Sequence, residues 1–576
     1  MYKRSSNHTE TEIFAGISQQ LSGRKLNRYN DKQAWHNVFY EHITSKIDED
    51  KFELLFSEAG QGRPNASIRI LISMMILKEG FGWSDKQLFE RSDYDFLVMR
   101  ALGLNNINDL IPSETTYYNL KKAIYEHQIE TGSDLIGEVF MGLTKEQINL
   151  FGVISEYTRM DSSLLGSNIA KSSRLQLVIN VLQAFYKDIK GKLNLLSMLS
   201  QEDKELFELI SDKKSGQIIY TLDNLKREEL LLKTGNLLLR IQTNFKEDES
   251  KKYHLIVRVL SEQYTIESDK VILKPVKEVS SKSLQSVGDE DAQYRNKNGE
   301  KVQGYVANVT ETANEEGLNL ITDPIVKGAT TSDPEFLQEG IERSEALVGK
   351  ISNVNTDGAY HSVENQEYAE ANDVNLILSA MQGKEGVYAF KENQENEIEI
   401  INTQTGEVFK PKITKSGKYK ITDGGKTRYF GQKEITAYNQ RQQMKSIPQK
   451  EKNRRNNVEA TIFQLVYYTR NKKTRYRGLI KHQMWAFCRC SWINLVRIKN
   501  WLGKLYPNGD KNMKNQGILT KTAELLTILL SFSMGKEILS LYTSQKSQFV
   551  KISWFYQNYR QFNFFKVFHC RSEFDD

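Results

Sequence analysis

The sequence predicts a multidomain protein of the α+β or α/β class. An N-terminal helical domain of helix-turn-helix type precedes a mixed-sheet domain that carries a helical and a β-rich insertion. Three observations predict it. The chain has 576 residues, enough for several domains of ordinary size. Helical periodicity with short joints fills residues 31–150 and gives way near Phe151 to strand-like runs that alternate with helices. Charge is also divided. From Val408 to the end there are 33 Lys and Arg against 10 Asp and Glu, a net of +23, whereas the first 407 residues hold 46 against 63, a net of −17. A basic half of that size points to a polyanionic partner, nucleic acid above all.

Composition excludes several classes. Apolar residues make up 39%, charged residues 26% and aromatic residues 10%, which is neither a disordered nor a membrane composition. Cys488, Cys490 and Cys570 are too few for a disulfide framework or a four-cysteine zinc site. The opening run MYKRSSNHTETEIF lacks the apolar core of a secretory signal. The most apolar stretch, from Leu525 to Met534, is too short to span a bilayer. A soluble, cytoplasmic protein with no membrane partner is expected.

Residues 1–30 are polar and expected to be flexible. Ser67 to Glu79 reads as a buried helix, introduced by Gly62-Arg63-Pro64 and stopped by Gly80 and Gly82. Ser84 to Gln87 reads as a capping box, with Gln87 reaching back to the Ser84 amide. Pro112-Ser113-Glu114 opens a further helix, Ser113 capping it and Glu114 favouring its positive dipole end. Val153 to Met160 reads as a strand that ends at Asp161. Residues 172–300 form a helical insertion, the last part of which, 275–300, has the composition of an exposed connector. Strands follow at 304–310 and 318–326, then a helix from Asp333 with Pro334 in its first turn, and short strands before Asp357 and at 373–379. Residues 380–450 hold a small β-rich insertion with glycine turns. From Asn456 the pattern is helical, and residues 501–576 are a basic, aromatic tail.

Three acids carry the candidate chemistry. Asp161 and Asp357 stand at strand-to-turn positions. Glu459 lies on a helix with Phe463 and Val466 at i+4 and i+7, which puts its carboxylate on or beside the buried face. An acid there is costly unless it is paired or binds metal. Arg455 precedes it by one turn. The plain reading is a helical ion pair; the functional one is a guanidinium that clamps a phosphate beside a metal-bound carboxylate. Beyond the helix, Arg470, Lys472, Lys473, Arg475 and Arg477 interleave with aromatic residues, a pattern suited to phosphate contact and base stacking. His361 reads as a turn histidine.

Taken in order, these runs resemble a bacterial insertion-sequence transposase of the DDE class. Gly62-Arg63-Pro64 and its helix, the Gly82-Trp83-Ser84-Asp85 stretch and Pro112 to Thr116 are similar to the N-terminal helical domain of that family. The run TRMDSSLLGSN around Asp161 resembles its first catalytic strand, and Thr356 to Ser362 its second motif. Arg454 to Thr461, with Arg475-Tyr476-Arg477-Gly478 and Trp492 to Leu495 downstream, resembles the third. The wider class often carries Tyr-x-x-Arg-x-x-x-Glu followed by a lysine; here the tyrosine position is Lys452 and the lysine position is Val466.

The resemblance implies a ribonuclease-H-like catalytic domain over residues 151–500, with Asp161 on the first strand, Asp357 after the fourth, and Glu459 on a helix packed across the sheet. It implies two Mg²⁺ or Mn²⁺ ions, with Asp161 bridging them, Asp357 on one and Glu459 on the other. It further implies cleavage and strand transfer at terminal inverted repeats, a target DNA, and a homo-oligomer in the DNA complex. Arg455 and the five basic residues after the helix are the expected DNA contacts. Two other readings stand beside it: a catalytically inactive or domesticated DNA-binding derivative, and a ribonuclease-H-like nuclease that never joins strands.

Overall fold

The connections between strands fix the frame of the central sheet. In a computed structural model of the chain, β1 (Tyr157–Gly166) pairs antiparallel with β2 (Glu300–Thr312), and β2 forms a hairpin with β3 (Ile321–Gly328). A helical crossing, α-helix Leu337–Val348, then returns the chain to β4 (Asn353–Thr356), parallel to β1, and a second crossing leads to β5 (Asn375–Leu378), parallel to β4. The order is β3-β2-β1-β4-β5, and a short edge strand, Gln293–Lys297, pairs with the start of β2. The structure describes residues 2–4, 16–56 and 64–505, except 191–196, 212, 247–249, 269, 298, 382–384 and 394–396. Gly62, Arg63 and the tail from residue 506 lie outside the described residues.

The N-terminal helices form where their signals stand, except that Gly80 lies inside its helix and does not stop it. Helix α1 (Ile68–Phe81) is capped by the Ser67 hydroxyl and ends at Gly82, which takes the left-handed conformation at φ 68°. Helix α2 (Asp85–Tyr94) carries the full Ser84–Gln87 capping box, and Ser113 caps α3 (Glu114–Thr131). Helix α4 (Leu135–Phe151) completes the group. These helices do not close a core among themselves. Met484, Trp485 and Phe487 pack into the same buried cluster as Leu71, Met75, Leu120 and Phe140. They belong to the 27-residue helix Leu479–Leu505. That helix also docks on the sheet through two amides. Asn494 pairs with both the N–H and the carbonyl of Ile321, and Gln483 does the same across Pro324 and Val326. The outer edge of β3 is thereby covered, as exposed strand edges require.

Three expectations are corrected. Ile17–Gln20 and Gly23–Asn30 are helical, with Ile17 and Tyr29 buried in the helical core, because apolar residues within the polar start find that core. β1 runs on past Asp161 to Gly166, its pairing with β2 extending to Gly304. The stretch 275–300 buries Leu284, Asp289 and Ala292 and contributes the edge strand. The helical insertion has its own apolar core, built from Arg174–Ile189, Asn224–Asn244 and Lys251–Gln263. The β-rich insertion closes a smaller one around Tyr388, Phe390, Ile400 and Ile421.

Candidate active site

Asp161 sits mid-strand on β1, opposite Val309 of β2. Asp357 follows β4 directly and caps the turn Gly358–Tyr360, its Oδ1 accepting from the Ala359 amide at 2.9 Å. The turn is fixed from two sides. Gly358 approaches the Ala380 carbonyl so closely that a Cβ would lie 1.8 Å from its oxygen. The fully buried Tyr360 donates its hydroxyl to Asn308 on β2. Glu459 lies on the helix Asn456–Val466. These three elements bring the acids around one side chain. Arg455 places Nη2 3.5 Å from Asp161 Oδ2 and 3.8 Å from Asp357 Oδ2, and Nη1 2.7 Å from Glu459 Oε1.

Burial pushes the Asp161 carboxyl up to about 6, and the charges of Asp357 and Glu459 add to the rise; Arg455 and the Ser162 amide, which donates to Oδ1 at 2.9 Å, oppose it. Glu459 is not on the buried face. Its side chain is 59% exposed, and the inward residues of its helix are Val458, Thr461 and Leu465, while Phe463 is exposed. The polar Thr461 faces inward because it has a buried partner. Its hydroxyl donates to Glu311 Oε2 at 2.8 Å.

Glu311 anchors a network that the sequence reading missed. It lies opposite Arg159 in the β1–β2 register and is fully buried. Arg159 Nε bonds Oε1 at 2.5 Å and Arg497 Nη2 lies 2.7 Å from Oε2. Burial alone would raise the Glu311 carboxyl, but Arg497 and Arg159 outweigh it and hold the group below its ordinary value. Arg159 Nη1 also donates to the Arg454 carbonyl. The network thus ties β1, β2, the Glu459 helix and the long helix Leu479–Leu505 together, one residue from Arg455. Its one visible signal in the sequence is an acid close behind the apolar run Tyr305-Val306-Ala307 and Val309 of β2.

The basic cluster divides. Lys473 Nζ donates to the Ile169 carbonyl and Arg477 Nε to that of Asn168, both at 2.7 Å, while Arg475 donates to the carbonyls of Gly82 and Trp83. These three side chains fasten the loop after the Glu459 helix to the end of β1 and to α1. Arg470 and Lys472 are exposed. His361 is half-buried, its Nδ1 lacks a partner, and burial, with the charges of Arg441 and Lys433, pushes its pKa down.

Among the described residues no three His, Cys, Asp or Glu side chains are spaced to hold one ion. The three acids nevertheless offer only carboxylate oxygen, the donor type that suits Mg²⁺ or Mn²⁺, and the cleft already accommodates one positive group, the Arg455 guanidinium. The donor chemistry therefore fits a hard divalent cation.

The fold is of the mixed α/β class, with a helical N-terminal region beside a mixed sheet that holds Asp161 within one strand and Asp357 directly after another. Residues 27–123 match the family described as Transposase domain (DUF772). The matched stretch contains α1, α2 and the first half of α3, and it supports a transposase family for the chain. No curated protein and no solved structure matches it. Among the described residues no helix is long and apolar enough to cross a membrane.

Proposed function

We propose that the chain is a DNA transposase of an insertion sequence, with Asp161, Asp357 and Glu459 as its catalytic acids and the ligands of two Mg²⁺ or Mn²⁺ ions. The observation that carries the reading is the meeting of these acids around Arg455, in a chain whose N-terminal residues match a transposase domain. The strand order supports a ribonuclease-H-like domain: three antiparallel strands are followed by two parallel ones, with Asp161 on the first and Asp357 after the fourth.

Paired divalent cations in such a site stabilise the attacking and leaving oxygens of an in-line phosphoryl displacement. The chain's own residues prepare for it. The amides of Ser162 and Ala359 each hold one carboxylate oxygen, of Asp161 and of Asp357, and so leave Oδ2 of both acids directed at the cleft. Arg455 offsets one of the three negative charges, and its guanidinium is a planar fork of the kind that suits a phosphate oxygen pair. In this reading the N-terminal helices recognise the terminal inverted repeats, Arg470 and Lys472 contact backbone phosphates, and the protein acts as a homo-oligomer on DNA in the bacterial cytoplasm.

A second reading, a DNA-binding derivative that does not cut, is favoured by one observation: the three acids meet through Arg455, and among the described residues no three His, Cys, Asp or Glu are spaced for one ion. Incubating the full chain with labelled DNA from the flanks of its own gene separates the two. Nicks at flanking inverted repeats in Mg²⁺, abolished by EDTA, are the expected result. Binding without cleavage in either Mg²⁺ or Mn²⁺ would establish the second reading.

A further inference from the structure

The β-rich insertion is more than a spacer. Its outer layer is a three-stranded antiparallel sheet of Lys412–Ile413, Tyr419–Asp423 and Lys426–Phe430. Between Val408 and Phe430 the chain holds seven Lys and Arg and a single acid, Asp423. The register sorts these residues by face. Tyr419 pairs with Phe430 and Ile421 with Arg428 on the face that packs against Tyr388, Phe390 and Ile400. Asp423 is spent on this inner side too, accepting from the Tyr388 hydroxyl at 2.7 Å and the Asn402 amide at 2.8 Å. On the opposite face Lys412, Lys420 and Tyr429 form one cross-strand row. All three are exposed, as is Lys418 at the preceding turn, and Tyr429 is 54% exposed.

Lysines on sheet edges often serve only to prevent strand pairing, but that does not explain this row. Lys420 stands on the central strand, and an exposed tyrosine completes the row. The layer is also joined to the cleft. Its last strand runs through Gly431 into the helix Gln432–Ser446, which docks on β5 by a hydrogen bond from Gln443 to Asn375 at 2.8 Å. Lys433 and Arg441 of that helix exert their charge on His361, four residues beyond Asp357. Lys433 and Arg441 thus lie on the element that joins the outer layer to the turn after Asp357.

We propose that this lysine face is a further DNA-binding surface, which takes the sugar-phosphate backbone of duplex DNA extending beyond the catalytic cleft. It rests on the reading of the chain as a protein that acts on DNA. Flexible ammonium groups without a reading helix or loop suit phosphate contact, which positions a duplex without selecting its sequence.

The test uses the full chain in EDTA buffer and a fluorescein-labelled duplex of random sequence, followed by anisotropy across a salt series. The variant K412Q/K418Q/K420Q should lower the magnitude of the log–log salt slope by about 2 to 3 and weaken binding roughly tenfold at ~100 mM salt. Unrelated duplexes should lose affinity equally, with the thermal melt unchanged. A control variant, K226Q/K233Q/K251Q, removes three exposed lysines of the helical insertion and should leave the slope in place. An unchanged slope in the first variant, or an equal loss in the control, overturns the proposal while the DNA reading stands. If the wild-type chain shows no salt-dependent duplex binding, the DNA reading itself falls. Loss of binding to phosphatidylserine vesicles with duplex binding intact would also overturn it and assign the face to a lipid surface.

Discussion

Asp161 is held in the cleft at an electrostatic cost that can be measured. Its carboxyl rises from an ordinary 3.8 to about 6, which corresponds to roughly 3 kcal/mol. In the folded chain the group takes up its proton as pH falls through about 6, but in the unfolded chain only near 3.8. The fold therefore loses stability from this group as pH rises between those values. Asp161→Asn should raise the unfolding free energy at pH 7.5 by up to about 3 kcal/mol, with the gain shrinking to nothing near pH 4. Urea denaturation at the two pH values checks this; an equal effect at both would show that the gain has another origin. At this scale much of the site was legible. Asp161, Asp357 and Arg455 lie close together, a juxtaposition that the resemblance implies and that no local run could show. Helical spacing puts Glu459 on or beside the buried face; it lies beside that face, next to the buried Val458, and is itself exposed, as is Phe463. The residue that faces inward, Thr461, is polar, and its partner Glu311 is 150 residues away, beyond the reach of any helical period.

The elements that hold the acids depend on charges buried between them. Glu311 is shared by Arg159, Arg497 and Thr461, so removing its charge leaves two arginines facing an uncharged, enclosed site. Glu311→Gln should cost about 3–5 kcal/mol of stability and should loosen the Glu459 helix from the sheet. A denaturation series that shows a loss below about 1 kcal/mol, the level of an exposed pair, would contradict this account. The basic loop after that helix makes the same point. Charge pattern alone marked five residues for DNA, yet Lys473, Arg475 and Arg477 spend hydrogen bonds on backbone carbonyls of β1's end and of α1. R470Q/K472Q should weaken duplex binding with the melting temperature unchanged, whereas R475Q/R477Q should lower the melting temperature as well. Equal melts for the two variants would show those carbonyl bonds to be of no consequence. Capping boxes and glycine stops were readable because their partners lie three or four residues apart. Carbonyl-bound arginines were not, because their acceptors lie hundreds of residues away.

On the largest scale, the central fact is that the helical start and the long helix Leu479–Leu505, the last among the described residues, share one core. Residues 31–150 read as a separate domain because their helices and joints are local features, whereas the helix Leu479–Leu505 that covers them arrives only after the whole sheet. A fragment of residues 1–150 should therefore show no cooperative thermal transition by circular dichroism, its apolar faces around Met75 and Phe140 being uncovered. A sharp two-state melt would contradict this. Asp161 lies on β1 and Asp357 directly follows β4, a placement implied by resemblance and not by any local pattern, and the covering of β3 by Asn494 and Gln483 has no local signal at all. The central claim remains that three acids from separate elements act as one metal-dependent DNA-cutting site. Its most direct test is cleavage of labelled flanking DNA in Mg²⁺ by the wild-type chain and by Asp161→Asn, Asp357→Asn and Glu459→Gln. Each variant should bind DNA as the wild type does and lose at least about a thousandfold in cleavage, on the scale of removing a group from a catalytic unit. Wild-type cleavage by any one of the three would remove that residue from the site and contradict the account.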